Sequence, residues 1–318
     1  MPSGEPFSPT LSSSPTPEPF SPTLSVYPTL ELCGPLDMHY YLTEGLEGVE
    51  HQKYHRGATF TQAVDDRARE VAGNSSGGQY IVFSSVQQKD LASINRIRDT
   101  HYKGLRFLYL HDEETLIVRG MFHALPGLVT ARFIQILKMK MAMMRVNDVL
   151  INVGGASFKG RNSSKEAYCG LKPGPPRPRM IDWPTLVFEC GVLKSKRRLT
   201  ADACWWLENS HEEVKIVLVI KASEEDRKVK IEQWEMDTGP HTQATQHHPD
   251  RSRTILKRTQ KVTIFVLPGS RAVATAPFSL NFSKIFLRNP NRTRGEEDII
   301  LSKVDLQDIA IHVWDGWQ

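Results

Sequence analysis

Short apolar runs alternate with segments of helical periodicity through the centre of this chain. A long segment, residues 128–146, places apolar side chains at helical spacing and predicts a helix, as does the shorter segment 196–208. Four runs read as strands: residues 115–122, 149–158, 186–192 and 214–221. The last two are almost continuously apolar, which is typical of strands covered on both faces. Because a helix separates the last two runs, we expect them to form a parallel pair in an α/β fold.

The two ends of the chain differ in pattern from this centre. Residues 1–30 are rich in Pro, Ser and Thr and contain the octapeptide EPFSPTLS twice, so we expect a disordered tail. Residues 36–104 carry mixed helix and strand signals and are interpreted as an N-terminal extension of a core at 105–235. A polar insertion at 236–261 precedes a C-terminal β/α elaboration of the same domain, residues 262–318. Its predicted elements are strands at 262–267, 278–287 and 299–301 and a helix at 303–314.

Composition narrows the class of protein without naming a function. The 318 residues are 40% hydrophobic, enough for one large domain or two small ones. A net charge of +4 permits a polyanionic partner without requiring one. The four cysteines form no CxxC pair, and the N-terminus has neither the charge nor the apolar run of a secretory signal. Since no run is long enough to span a membrane, we expect an intracellular protein, cytoplasmic or nuclear.

A single carboxylate stands out within the apolar runs. Glu189 lies in the middle of residues 186–192, between Phe188 and Cys190. An uncompensated charge at such a position costs several kcal/mol, so Glu189 requires a metal ion, a cation or a proton. The alternatives are therefore a functional metal ligand and a structural salt bridge, for instance to Lys215 or Arg132.

The residues around Glu189 carry a resemblance to a known superfamily. The segment from Asp182 to Gly191 reads DWPTLVFECG, and the helix after it contains DACWWL from Asp202 to Leu207. Upstream, Lys165-Glu166-Ala167 is followed by Gly170-Leu171-Lys172-Pro173. In this order the three pieces resemble the PD-(D/E)XK, or restriction-endonuclease-like, proteins, and more closely restriction-endonuclease-type proteins of fungi. The resemblance covers residues 105–235.

The resemblance implies a fold and a metal-dependent activity. The fold would be a restriction-endonuclease-like core, a mixed sheet flanked by helices. The activity would be hydrolysis of DNA or RNA phosphodiesters with Mg²⁺ or Mn²⁺, because hard cations are held by carboxylates and activate water. Glu189 would bind the metal, and Glu166 or Asp182 would supply the second carboxylate. Lys194 would support the attacking water, with Lys196 and Lys221 as alternatives.

Three positions depart from the pattern of the superfamily. Tyr168 stands where the first acid is expected, Gly191 where the lysine is expected, and Cys204 where some members carry a basic residue. The second hypothesis is therefore a catalytically inactive protein of the same fold that binds nucleic acid or a protein partner. A basic run at residues 194–198, together with Lys257, Arg258 and Lys261, would suit a nucleic-acid backbone.

Overall fold

The computed structural model describes residues 38–73, 78–146, 149–237, 255–267 and 271–315. The predicted tail, residues 1–30, and most of the predicted polar insertion lie outside these ranges. The helices are α1 (Met38–Thr43), α2 (Gly57–Gly73), α3 (Leu91–His101), α4 (Ala124–Met143), α5 (Lys196–Asn209), α6 (Phe282–Phe286) and α7 (Lys303–Asp315). The strands of the first half are β1 (His51–Lys53), β2 (Tyr80–Ser84), β3 (Arg106–Leu110), β4 (Thr115–Arg119), β5 (Leu150–Asn152), β6 (Ser157–Lys159), β7 (Ser163–Glu166) and β8 (Cys169–Pro173). Those of the second half are β9 (Leu186–Val192), β10 (Ile216–Ser223), β11 (Lys228–Asp237), β12 (Ile255–Leu267), β13 (Arg271–Ala274), β14 (Phe278–Leu280) and β15 (Ile299–Leu301).

A seven-stranded mixed sheet contains the strand that carries Glu189. Its strand order is β13-β12-β11-β10-β9-β8-β5. The pair β9 and β10 is parallel, as predicted from the helix between them, and Glu189 lies directly opposite Val219. The remaining pairs of this sheet are antiparallel. Strands β12 and β13 of the predicted C-terminal elaboration thus extend the sheet that β9 belongs to.

A six-stranded sheet is built mainly from the preceding part of the chain. Its order is β1-β2-β4-β3-β7-β6, and β2 pairs with β4 in antiparallel register. The boundary predicted at residue 104 therefore falls between two strands of one sheet. The chain leaves this sheet after β7 and enters the seven-stranded sheet at β8, with only Ala167 and Tyr168 between the two strands.

The two sheets enclose α5, against which α1 packs, and the helices α2, α3, α4, α6 and α7 lie on their outer faces. One core cluster combines α5 with residues from both sheets, among them Trp206, Val217 and Ile117. A second joins α4, α6 and α7 to the opposite face of the seven-stranded sheet. A third joins α2 and α3 to the outer face of the six-stranded sheet. The fold is thus α/β, with mixed sheets flanked by helices, and the helical spacing of apolar residues predicts which faces are buried. No helix within the described ranges is long and apolar enough to cross a membrane.

Three predicted elements differ from the structure. Residues 149–158, predicted as one strand, form β5 and β6 in two different sheets, because the turn at Gly154 (φ +55°) redirects the chain. Residues 278–287, predicted as a strand, form β14 and then α6, which begins where the Asn281 side chain accepts a hydrogen bond from the backbone N–H of Lys284. Residues 255–261, predicted as part of the polar insertion, are the first half of β12, whose polar side chains pair with those of β11.

Candidate functional site

Glu189 lies in the layer between the two sheets and is fully buried. Its Oε2 accepts a hydrogen bond from Nη1 of Arg119, which ends β4 in the facing sheet. Its Oε1 accepts a hydrogen bond of 2.6 Å from Nε1 of Trp206 on α5. The ammonium of Lys165, from β7, lies 3.8 Å from the same oxygen. Glu189 therefore has its charge compensated by cations, and a structural salt bridge exists, although its partner is neither Lys215 nor Arg132.

A second carboxylate, Asp202, shares these cations. Its Oδ1 accepts a hydrogen bond of 2.7 Å from Lys165, and its Oδ2 accepts one of 3.1 Å from the hydroxyl of Tyr80. Arg198, one turn earlier on α5, lies 3.4 Å from Oδ1. Burial opposes the charged form, but Lys165, Arg198 and Arg119 together lower the pKa of Asp202 to about 2. Asp202 is therefore an ionised, hydrogen-bonded member of the cluster.

The buried cluster consists of the five charged side chains just named. Two carboxylates face three cations, and no side chain in the set is more than 5% exposed. Burial lowers the pKa of Arg119, but the adjacent Glu189 outweighs this effect and the pKa of Arg119 is raised. Because charges buried without water are costly unless they are paired and hydrogen-bonded, each member depends on the others. The cluster thus joins β4, β7, β9 and α5 across the two sheets.

Glu166, the first candidate for the second carboxylate, lies on the other side of β7 from this cluster. Successive side chains of a strand point to opposite faces, so the one that turns toward Glu189 is Lys165. Glu166 accepts hydrogen bonds from Arg98 and from the backbone N–H of Phe107. Burial raises its pKa, in spite of the arginine. Glu166 also lines an open cleft of about 240 Å³ beside α3.

Asp182 and the candidate lysines occupy the two ends of β9. Asp182 precedes the strand in a turn, where it accepts a hydrogen bond of 2.8 Å from the backbone N–H of Arg179. Lys194 and Lys196 follow the strand and are exposed to solvent. Lys221 lies opposite Gly191 and is fully buried, with its ammonium 2.6 Å from a carboxylate oxygen of Glu232. Burial lowers the pKa of Lys221 to about 8.

The three positions that differ from the expected motif are packed into the structure. Tyr168 is half-buried, packs against the core cluster under α4 and has its pKa raised to about 12 by burial. Gly191 leaves space for Gln79, because a Cβ at this position would lie 2.5 Å from Nε2 of that side chain. Cys204 is a buried free thiol in the core around α5.

A divalent metal ion does not fit the donors around Glu189. Both oxygens of Glu189 and both oxygens of Asp202 already accept hydrogen bonds from side chains. The cavity beside Arg119, Lys165 and Asp202 has a volume of about 10 Å³, the size of one water molecule, whereas Mg²⁺ keeps several waters of its own. In the part of the chain that the structure describes, no group of three or more His, Cys, Asp or Glu side chains is suited to a metal ion.

The partners of Glu189 were not identified from the sequence, although one signal was present. Arg119 directly follows the apolar residues Leu116 to Val118, so a second buried charge interrupts a second predicted strand. Two opposite charges in two apolar strands favour a salt bridge between those strands. Comparisons with protein-family models, with curated proteins and with solved structures return no match.

Proposed function

We propose that this chain is a nucleic-acid-binding protein on a nuclease-like scaffold, in which the buried carboxylates stabilise the fold and do not hydrolyse phosphodiesters. The observation that carries the proposal is the pairing of Glu189 with Arg119 and Trp206. Hydrolysis at Glu189 would first require Arg119 to be replaced by a metal ion, which leaves the guanidinium buried and uncompensated. The resemblance to the PD-(D/E)XK proteins enters the proposal through the scaffold alone.

Charge supports a nucleic acid as the ligand class. The chain has a net charge of +4, and a backbone of phosphates is bound chiefly by exposed lysine and arginine. In the basic run after β9, Arg198 is buried against Asp202 and Arg197 forms salt bridges with Glu44 and Glu47. Within this run the exposed Lys194 and Lys196 remain for phosphate contacts, together with exposed cations elsewhere on the surface.

The test measures binding and cleavage in the same samples. Labelled single-stranded and duplex DNA and RNA would be incubated with the purified chain in Mg²⁺ or Mn²⁺, and then examined for retardation and for new ends. We expect binding that weakens with salt and no cleavage. Metal-dependent cleavage that is lost in a folded Glu189→Gln variant would overturn the inactive assignment. Failure of all four ligands to bind at about 50 mM salt would overturn the nucleic-acid assignment.

A further inference from the structure

One side of β11, β12 and β13 packs against α5 near Trp234 and Leu256, but it is exposed farther along β12 and β13. Along β12, Val262, Ile264 and Val266 are buried in the core beneath α7. The alternating side chains point the other way, as strand geometry requires. Two of these, Phe265 and Leu267, are 37% and 42% exposed. We call this side of the three strands the open sheet face.

The strand register places basic and apolar side chains in adjacent rows on the open sheet face. Lys228 of β11, Phe265 of β12 and Val273 of β13 are direct neighbours across the three strands. The ammonium of Lys228 lies 5.4 Å from the centre of the Phe265 ring, a cation–π arrangement. Two residues further along β11, Lys230 lies opposite Thr263.

Positive charge dominates the open sheet face. Lys261 and Arg271 are exposed, and Lys228 and Lys230 are half-buried. Within the described residues of these three strands, Glu232 is the one carboxylate on this side. It is fully paired, because Lys221 lies 2.6 Å from its Oε2 and lowers its pKa against the effect of burial. Lys261 lies opposite Glu232, whereas Lys228, Lys230 and Arg271 lie opposite Phe265, Thr263 and Leu267 and have no carboxylate beside them on the described residues of these strands.

We propose that the open sheet face binds single-stranded nucleic acid, an inference that rests on the proposed function. The cations would contact phosphates, and the exposed Phe265 ring offers a surface on which a base can stack. From Lys261 to Leu267 the face is about 20 Å long, since a strand rises about 3.3 Å per residue. Bases of a duplex are already stacked on each other and are not available to stack on an aromatic side chain. A single strand is therefore the ligand that uses both the charge and the ring.

The test compares charge-reversal variants by fluorescence anisotropy. The probes are labelled 15-mers of deoxythymidine and of uridine, and a duplex of the same length. Lys261→Glu with Arg271→Glu removes two cations from the face. The matched control, Lys103→Glu with Lys138→Glu, makes the same change in net charge at exposed sites on α4 and after α3. We expect the face variant to bind at least about tenfold more weakly, with a salt dependence reduced by about 0.7 per lost phosphate contact.

A second pair of variants tests the aromatic contribution. Phe265→Ala should weaken single-strand binding by about tenfold, and Leu128→Ala, an exposed apolar residue on α4, should not. Equal losses in the face and control variants would overturn this inference while leaving the proposed function intact. Absence of binding by the natural protein would overturn both. Tighter binding of the duplex, or equal competition by polyglutamate, would overturn the assignment to single strands.

Discussion

Replacement of Glu189 by glutamine tests whether this residue is a structural ion-pair partner or a metal ligand. Glutamine keeps the shape of the side chain and an oxygen that can accept from Trp206, but it removes the charge that faces Arg119. The guanidinium then stays buried, with Asp202 as the nearest other carboxylate at 3.9 Å. Loss of one partner of a buried ion pair costs about 3–5 kcal/mol. Since Asp202 remains in reach, we expect a loss near the lower limit, about 3 kcal/mol.

Urea unfolding measures this loss directly. With an m-value of about 3 kcal/mol/M, the loss would lower the urea midpoint by about 1 M. Asp308→Asn is the matched control, because Asp308 pairs with Arg132 at 2.6 Å but is 47% exposed. The control should cost less than about 1 kcal/mol.

A double-mutant cycle with Arg119→Met assigns the effect to the pair. If the two side chains stabilise the fold as a pair, the loss of unfolding free energy in the double variant should be smaller than the sum of the two single losses. The expected difference is about 2 kcal/mol. An acid held in place for a metal ion would behave in the opposite way, since its neutralisation relieves an unfavourable buried charge in the absence of metal. An unchanged or raised midpoint for Glu189→Gln would therefore refute the structural assignment.

Three further outcomes concern the cluster and the end of the strand that carries Glu189. Added Mg²⁺ or Mn²⁺ should leave the thermal midpoint of EDTA-treated protein unchanged in scanning fluorimetry. A metal ion bound at a hundredfold excess over its Kd would stabilise the folded protein by about 2.7 kcal/mol. A clear rise of the midpoint would therefore contradict the conclusion that a metal ion does not fit this site. The folded-state pKa of Asp202 is lowered from 3.8 to about 2, so its stabilisation is complete above pH 3.8 and is lost as the pH falls toward 2. The stabilisation lost in this pH range amounts to about 2 kcal/mol. Asp202→Asn should therefore flatten the dependence of the unfolding free energy on pH between these values. Parallel curves for the natural protein and the variant would argue against an ionised Asp202. A Cβ at position 191 would lie 2.5 Å from Nε2 of Gln79, so Gly191→Ala should already destabilise the protein. Gly191→Lys should cost more, about 1–3 kcal/mol in urea unfolding, because its longer side chain must also be placed in the packed core. A Gly191→Lys variant as stable as the natural protein would show that the site accepts a lysine.

Much of the α/β core could be predicted because its signals are local. Strand β15 has the predicted bounds, and α5 and α7 differ from prediction by one residue at an end. The parallel pairing of β9 and β10 followed from two continuous apolar runs with a helix between them. Such patterns depend on which faces of an element are buried, and each face is set by residues close in sequence. The burial of Glu189 followed from the same pattern.

The partners of Glu189 were decided by tertiary structure. Arg119 is 70 residues from Glu189 in the chain and lies in a different sheet, so no spacing rule relates the two. Residues 165 and 166 are adjacent, and the register of β7 decides that the lysine faces the cluster while the glutamate faces Arg98. A shift of one residue would exchange them, because side chains alternate along a strand. The sequence by itself therefore determined that a buried carboxylate exists in an α/β core. The packing of two sheets around α5 decided that its charge is compensated by an arginine and a lysine, since only close approach of distant segments sets which charges meet.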